Sequence, residues 1–216
     1  MSSQIERENS KKYWDEIHKE NTRDNIKIDC WLDKFINIIN ATKLPIIDLG
    51  CGFGNDTLYL IQKQKDVIPC DQSYNAISCI KRNFPEISQA ECFDMLDGLP
   101  FDDEFCEVVI ADLCLHYFTS ADTEKIIADI YKILRPNGYL IFRVNSVNDI
   151  NHGAGEGEEI ERNLYKTADE RLKRFFDEKD ISFFFRNFQI EYVKETTMNR
   201  YKLEKRLYEG CVRKIK

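Results

Sequence analysis

No apolar run in this 216-residue chain approaches the ~20 residues a bilayer crossing needs. The first residues, Met1-Ser2-Ser3-Gln4-Ile5-Glu6-Arg7, hold no apolar segment. Neither a signal peptide nor a membrane anchor is expected, and a cytoplasmic placement follows. The eight cysteines include no C-x-x-C pair and no partner histidine at zinc-ligand spacing, which excludes the common structural zinc sites. Most sit inside apolar runs, as reduced core thiols do. Repeats, low-complexity tracts and linkers are missing, so one domain is expected over 1–216. Surplus positive charge is missing too. The net charge of −7 makes the chain a poor general nucleic-acid binder. Its charge is uneven, however: residues 194–216 carry eight lysines and arginines against three acids. That segment reads as solvated strand faces or as a basic edge for an anionic substrate.

What is present centres on Pro45-Ile46-Ile47-Asp48-Leu49-Gly50-Cys51-Gly52-Phe53-Gly54-Asn55-Asp56. Ile46 and Ile47 begin a buried strand, Asp48 puts a carboxylate near its end, and three alternating glycines make a turn. The run Thr57-Leu58-Tyr59-Leu60-Ile61 then suits a helix. Strand, glycine turn and helix together bring a ligand to bare backbone and unpaired N–H groups. A dinucleotide turn needs G-x-G-x-x-G, and its third glycine would fall on Asn55. The pattern is instead D-x-G-x-G-x-G.

Later segments repeat the theme. Residues 1–20 read as a helix with Tyr13, Trp14 and Ile17 on one face, residues 21–27 as a loop, and Ile28 to Ile39 as a second helix. Val67-Ile68-Pro69-Cys70-Asp71 is a short strand ending in an acid 23 positions after Asp48. Asp71 suits a ribose hydroxyl pair, or the cap of the following helix, Asn75 to Asn83. Ser88 to Phe93 reads as a third strand; Asp94 after it suits an adenine amino group or a plain turn. Val108-Val109-Ile110-Ala111 is a buried strand closed by Asp112-Leu113. Thr123 to Leu134 is amphipathic, Arg135-Pro136-Asn137-Gly138 stops it with Gly138 at positive φ, and Tyr139 to Val144 is a fifth strand. The glycine-rich stretch His152 to Glu159 reads as a lid, and Thr167-Ala168-Asp169-Glu170 has capping-box spacing. Asp177 can cap a helix through Ile181 to Phe185, and two strands close the chain. Five strand–helix alternations argue for a parallel α/β sheet with helices on both faces.

The ordered pieces IIDLGCGFGND, VIPCDQS, ECFDMLDGLPF, FCEVVIADLCLHYF and ILRPNGYLIFRVNS resemble the Rossmann-like (class I) S-adenosylmethionine-dependent methyltransferases. The resemblance implies a three-layer α/β sandwich, with a mostly parallel seven-stranded sheet and one antiparallel strand. It divides the chain into an N-terminal helical cap (1–44), a cofactor-binding core (45–145), a lid loop (146–166) and a C-terminal helix and strand hairpin (167–216). It implies S-adenosylmethionine as cofactor, with Asp48, Gly50, Cys51 and Gly52 at the methionine moiety. Asp71 would take the ribose, Gln72, Asp94 and Met95 the adenine, and Asp112 and Leu113 the floor of the methionine end. Trp14 could close over the sulfonium. The glycine-rich segment is similar to the tellurite-resistance-like and thiopurine-like small-molecule branch.

Methyl transfer from a sulfonium is an in-line displacement, and a general base is needed only where the nucleophile carries a proton. His116 and Tyr117, just after the fourth strand, are the candidate catalytic pair; Tyr13, His116 and His152 are the candidate substrate contacts. His18 has no motif around it and reads as a solvated helix residue. No metal site is expected. No D/N-P-P-Y/F run follows the fourth strand, which reads Ala111-Asp112-Leu113-Cys114, and no Pro-Cys nucleophile pair occurs there. The expected acceptor is therefore a small molecule, with nucleic acid unlikely. A protein or peptide acceptor, and a non-catalytic partner-binding role, stand as alternatives. The oligomeric state is not legible.

Overall fold

Apolar residues at every second position of the central strands build a sheet buried on both faces. In β4 (Cys106–Asp112), Val109 and Ala111 face one layer and Val108 and Ile110 the other. The computed structural model describes residues 4–19 and 26–215. Beside β4 lie β1 (Ile46–Leu49), β2 (Val67–Asp71) and β3 (Glu91–Cys92), all parallel to it. On its other side come β5 (Leu134–Asn145), then β10 (Lys205–Lys214) and β9 (Phe188–Met198). The order is β3-β2-β1-β4-β5-β10-β9. Only β10 runs against its neighbours, pairing antiparallel with both β5 and β9, as expected for this fold class.

Helices cover both faces. Ile126, Ile127, Ile130 and Ile133 of α5 (Ser120–Ile133) pack on Val109, Leu140 and Phe142. On the opposite face Trp31, Leu32 and Phe35 from a 3-10 turn, Ile39 of α2 (Ile36–Ala41) and Leu60 of α3 (Asn55–Gln62) meet Ile46, Ile110 and Ile141. α4 (Tyr74–Asn83) is capped by Ser73, whose hydroxyl accepts from the Ala76 N–H at 3.1 Å. Strand order turns outward in both directions from β1 and β4. The carboxyl ends of those strands form the crevice where open α/β sheets bind ligands.

Several expectations need correction. The first helix, α1, spans Gln4–Ile17; residues 1–3 and 20–25, which hold most of the expected loop, lie outside the described residues. The second expected helix is split into the 3-10 turn Trp31–Phe35 and α2. The third strand shrinks to two residues. Asn137, at φ 65°, takes the positive φ assigned to Gly138. Gly138 is needed for room instead: a Cβ there would lie 2.9 Å from Arg135 O and 3.0 Å from Glu107 O. The segment read as a lid loop is largely ordered. After a turn at Ile150–His152 it forms β6 (Glu158–Glu161) and β7 (Leu164–Lys166), joined by β8 (Leu172–Arg174) in a small antiparallel sheet. Thr167 caps no helix. It closes the β7–β8 turn, its N–H donating to Arg171 O at 2.8 Å. The cap at Asp177 does form, as a full capping box with Asp180 on α6 (Glu178–Phe184).

Candidate active site

The glycine turn is set by sterics. Gly50 (φ +72°) leaves no space for a side chain: a Cβ would lie 2.4 Å from Cys114 Cβ. Gly54 (φ +83°) would place one 2.6 Å from Ile80 Cδ1. The N–H groups of Gly50 and Cys51 both donate to Cys70 O, at 2.8 and 2.9 Å, pinning the turn to β2. The Gly52 N–H donates to Asp71 Oδ2 at 3.0 Å.

Above this turn lies a cavity of about 350 Å³, the size of a small-molecule site. Its floor holds the strand-end acids Asp48, Asp71 and Asp112, with Asp56 from α3. Burial pushes the Asp48 carboxyl up to about 7, against a hydrogen bond from Thr57 Oγ1 at 2.5 Å; Asp112 and Asp71 add to the rise. Burial also raises Asp71, offset by nearby His18 and by N–H bonds from Ser73 (2.9 Å) and Gly52. Burial raises Asp56 well above the usual range, reinforced by Asp112 and Asp48. Asp112 behaves oppositely. Burial acts to raise it, but Arg143 and Arg200 outweigh that and hold it low.

Arg143 grips Asp112 with a fork, Nε to Oδ1 at 2.6 Å and Nη2 to Oδ2 at 2.7 Å, and reaches Asp29 at 2.9 Å. Arg200 joins both acids from the β9–β10 turn, at 3.1 Å to Asp112 and 2.9 Å to Asp29. The Arg143 guanidinium also lies 4.3 Å from the Trp31 ring centre, and Trp31 Nε1 donates to Asp56 Oδ1 at 2.9 Å. The two guanidiniums match Asp112 and Asp29, while burial raises Asp48, Asp56 and Asp71. A ligand with positive charge suits such acids because it favours their ionised form. A ligand carrying an ammonium, a sulfonium and a ribose fits this donor and acceptor set.

Most of the cofactor candidates come together. Trp14, Asp48, Gly50, Cys51, Gly52, Asp71, Gln72, Met95, Asp112 and Leu113 all line the cavity, and so does Tyr117. Asp94 does not. Its carboxylate accepts from Arg7 Nε (3.1 Å) and Nη2 (2.8 Å) and from the Leu96 N–H (2.9 Å), so it ties α1 down beside the cavity. His116 is a correction: it is 1 % exposed and does not line the cavity. Burial, with Lys205 and Lys173 close by, holds its ring neutral, far below the ordinary imidazole range. Tyr13 is half-buried under Arg171, whose guanidinium sits 3.5 Å from the ring centre. His152 packs on Tyr201, ring centres 5.4 Å apart, outside the cavity lining.

His18 is the clearest miss. Read as solvated, it is 5 % exposed, stacks on Trp14 at 5.8 Å, meets Phe53 edge-on at 4.9 Å and closes the cavity over Gly52. Burial lowers its pKa, with Asp71 and Asp15 opposing. Lys27, Asn55, Arg200 and Tyr201 also line the cavity without a motif to announce them. The sole sequence signal was the basic run that contains Arg200.

Residues 47–142 match the methyltransferase domain family. A tRNA N(3)-methylcytidine methyltransferase of Schizosaccharomyces pombe is 26 % identical over 196 residues, 80 % of this chain and 76 % of that protein. A tRNA N(3)-methylcytidine methyltransferase of Drosophila melanogaster is 30 % identical over 148 residues, 63 % of this chain; the chain spans 45 % of that relative's length. Among solved structures, a SAM-dependent methyltransferase from Anabaena variabilis superposes with a TM-score of 0.74 at 17 % identity, covering 99 % of this chain and 96 % of that one. Relatives named for tRNA methylation overturn both the small-molecule acceptor and the expectation that nucleic acid is unlikely. That expectation leaned on the missing D/N-P-P-Y/F run. That run serves an exocyclic amine, whose lone pair is delocalised into the ring; a ring nitrogen presents an in-plane lone pair and does not require it. In its fold and in the methyltransferase-domain match over residues 47–142, the chain is similar to the Rossmann-like, S-adenosylmethionine-dependent methyltransferases.

Proposed function

We propose that this enzyme methylates ring N3 of a cytosine in a structured RNA, with tRNA as the acceptor class. The similarity to tRNA N(3)-methylcytidine methyltransferases over most of the chain carries the reading. The cavity chemistry agrees with it. Cytosine N3 has a free lone pair and no proton to lose, so no general base is needed. The histidine nearest the fourth strand is buried and kept neutral by its surroundings.

S-adenosylmethionine, when bound, supplies an electrophilic methyl on a sulfonium. In this reading Asp71 accepts from the ribose hydroxyls with the lone pairs its backbone partners leave free. Asp48 and the Gly50-Cys51-Gly52 backbone hold the amino-acid end, and Leu113 and Asp112 floor it. Gln72 and Met95 flank the adenine. Trp14, His18 and Tyr117 roof the site and exclude water; the Trp14 and Tyr117 rings meet edge-on at 5.2 Å. Tyr117, its pKa raised by burial, stays a neutral hydroxyl donor beside the acceptor. N3 methylation leaves the pyrimidine cationic, and Asp48, its pKa pushed up to about 7 by burial, can ionise against that charge as it develops. The eight free thiols fit a cytoplasmic placement. Among the described residues, no helix is long and apolar enough to cross a membrane.

The test is direct. The chain is incubated with the cofactor and either an RNA stem-loop with an unpaired loop cytosine or free cytidine, and digested nucleosides are read by mass spectrometry. 3-Methylcytidine in the stem-loop is the expected product. An enzyme that binds the cofactor but leaves every RNA cytosine unmodified would refute the assignment.

A further inference from the structure

Between β9 and β10 the chain reads Asn199-Arg200-Tyr201-Lys202-Leu203-Glu204, and Lys205 and Arg206 follow. Four bases against one acid contrast with the net charge of −7 for the whole protein. This turn is also part of the cavity, since Arg200 and Tyr201 line it. We infer that the β9–β10 turn and the Ile150–His152 turn packed against it form the surface on which the RNA docks. Tyr201 is the platform for a base at the mouth of the cavity. The inference rests on the RNA reading above and assigns it a place.

Three observations support it. First, Tyr201 is shared: its ring lines the cavity yet is 46 % exposed. A half-exposed aromatic ring beside a methyl-transfer cavity offers an unpaired base a surface for stacking. Ile150 (73 % exposed) and Leu203 (53 %) extend the apolar surface on either side. Second, the surface is held in place. Asn151 Nδ2 donates to Glu204 O at 3.0 Å, His152 Nε2 lies 3.3 Å from Leu203 O, and the His152 ring backs Tyr201. Beneath them Asp149 takes Lys205 Nζ at 2.8 Å and the Arg206 N–H at 2.9 Å. A surface so braced loses little freedom on binding.

Third, the bases divide into two groups. Arg200 and Lys205 are held by Asp112, Asp29 and Asp149 and serve the fold. Lys202 and Arg206 are exposed and make no ion pair among the described residues. They are available to phosphate, and exposed cations beside a stacking ring are the pattern of single-stranded RNA contact. A loop cytosine entering past Tyr201 would keep its flanking phosphates over this rim.

The test uses the full chain and, as probe, a labelled RNA stem-loop with an unpaired loop cytosine. The double variant Ile150→Glu/Lys202→Glu alters only exposed side chains. Its RNA Kd is expected to rise about tenfold, and the slope of log Kd against log salt to fall by about 1. Its affinity for S-adenosylhomocysteine, by calorimetry, stays at the parent value. Tyr201→Phe keeps RNA affinity, while Tyr201→Ala weakens it about tenfold through lost stacking. If the parent binds RNA and the double variant matches it in affinity and salt slope, this surface is overturned and the RNA reading stands. If the parent binds S-adenosylhomocysteine but neither binds nor methylates the stem-loop, both fall. RNA affinity that ignores salt also overturns the surface.

Discussion

Replacing Asp48 with asparagine should stabilise the ligand-free protein while disabling it. Asp48 is 2 % exposed and shares its surroundings with Asp112 and Asp71. Burial lifts its pKa from 3.8 to about 7. The folded chain therefore keeps a proton there that the unfolded chain releases, and stability is lost as pH rises from about 4 to about 7. At ~1.4 kcal/mol per pH unit, the penalty above pH 7 is about 4 kcal/mol. Asparagine never ionises and still offers an oxygen to the Thr57 hydroxyl. Its new N–H donors lack assured partners, which takes back about 1–2 kcal/mol. The net gain at pH 8 is about 2–3 kcal/mol, or about 4–12 °C in Tm for a chain of this size. At pH 5 the relief drops to about 1.6 kcal/mol and the amide penalty cancels it. Urea unfolding at pH 5 and pH 8 reads the difference, and calorimetry should show S-adenosylhomocysteine binding at least tenfold more weakly at pH 8. A variant less stable than the parent at pH 8, or equally stabilised at both pH values, would refute the reasoning, because Asp48 would then be a comfortably ionised carboxylate.

Asp71→Ala should weaken S-adenosylhomocysteine binding by about 1–3 kcal/mol, the usual loss for a buried polar partner; unchanged calorimetric affinity would move the ribose elsewhere. Arg143→Met leaves Asp112 and Asp29 to Arg200 alone and should remove about 3–5 kcal/mol from urea stability; a loss below about 1 kcal/mol would mean that Arg200 compensates. His18 and His116 are both held neutral by burial, so the unfolded chain takes up protons that the folded chain refuses. Stability should therefore fall as pH drops below 6.5, and His116→Leu should flatten that fall by up to one proton. The same variant should turn over RNA within a few-fold of the parent; a loss of about a hundredfold would restore His116 as a base.

The sheet, the glycine turn and the acids above it are legible from the residues alone. These follow from neighbours in the chain. Alternating branched residues make buried strands, Gly50 and Gly54 take φ values that side chains resist, and Asp48, Asp71 and Asp112 sit at or beside strand ends that point the same way. The resemblance to the methyltransferases was legible for that reason. Other parts of the site are long-range. His18 is buried because α1 folds across the cavity, 53 positions before Asp71 but against it electrostatically. Arg200 meets Asp112 from 88 positions away, and Arg7 meets Asp94 from 87. No period or motif encodes such meetings. His116 shows the converse. Its place after β4 looked catalytic, but Arg174, 1 % exposed on β8, donates its N–H to His116 O at 2.7 Å and ties this segment to the small sheet. Net charge misled about the partner because it averages the whole surface, while an acceptor meets only the rim. Which bases pair with buried acids and which lie exposed beside Tyr201 depends on the packing of segments distant in the chain.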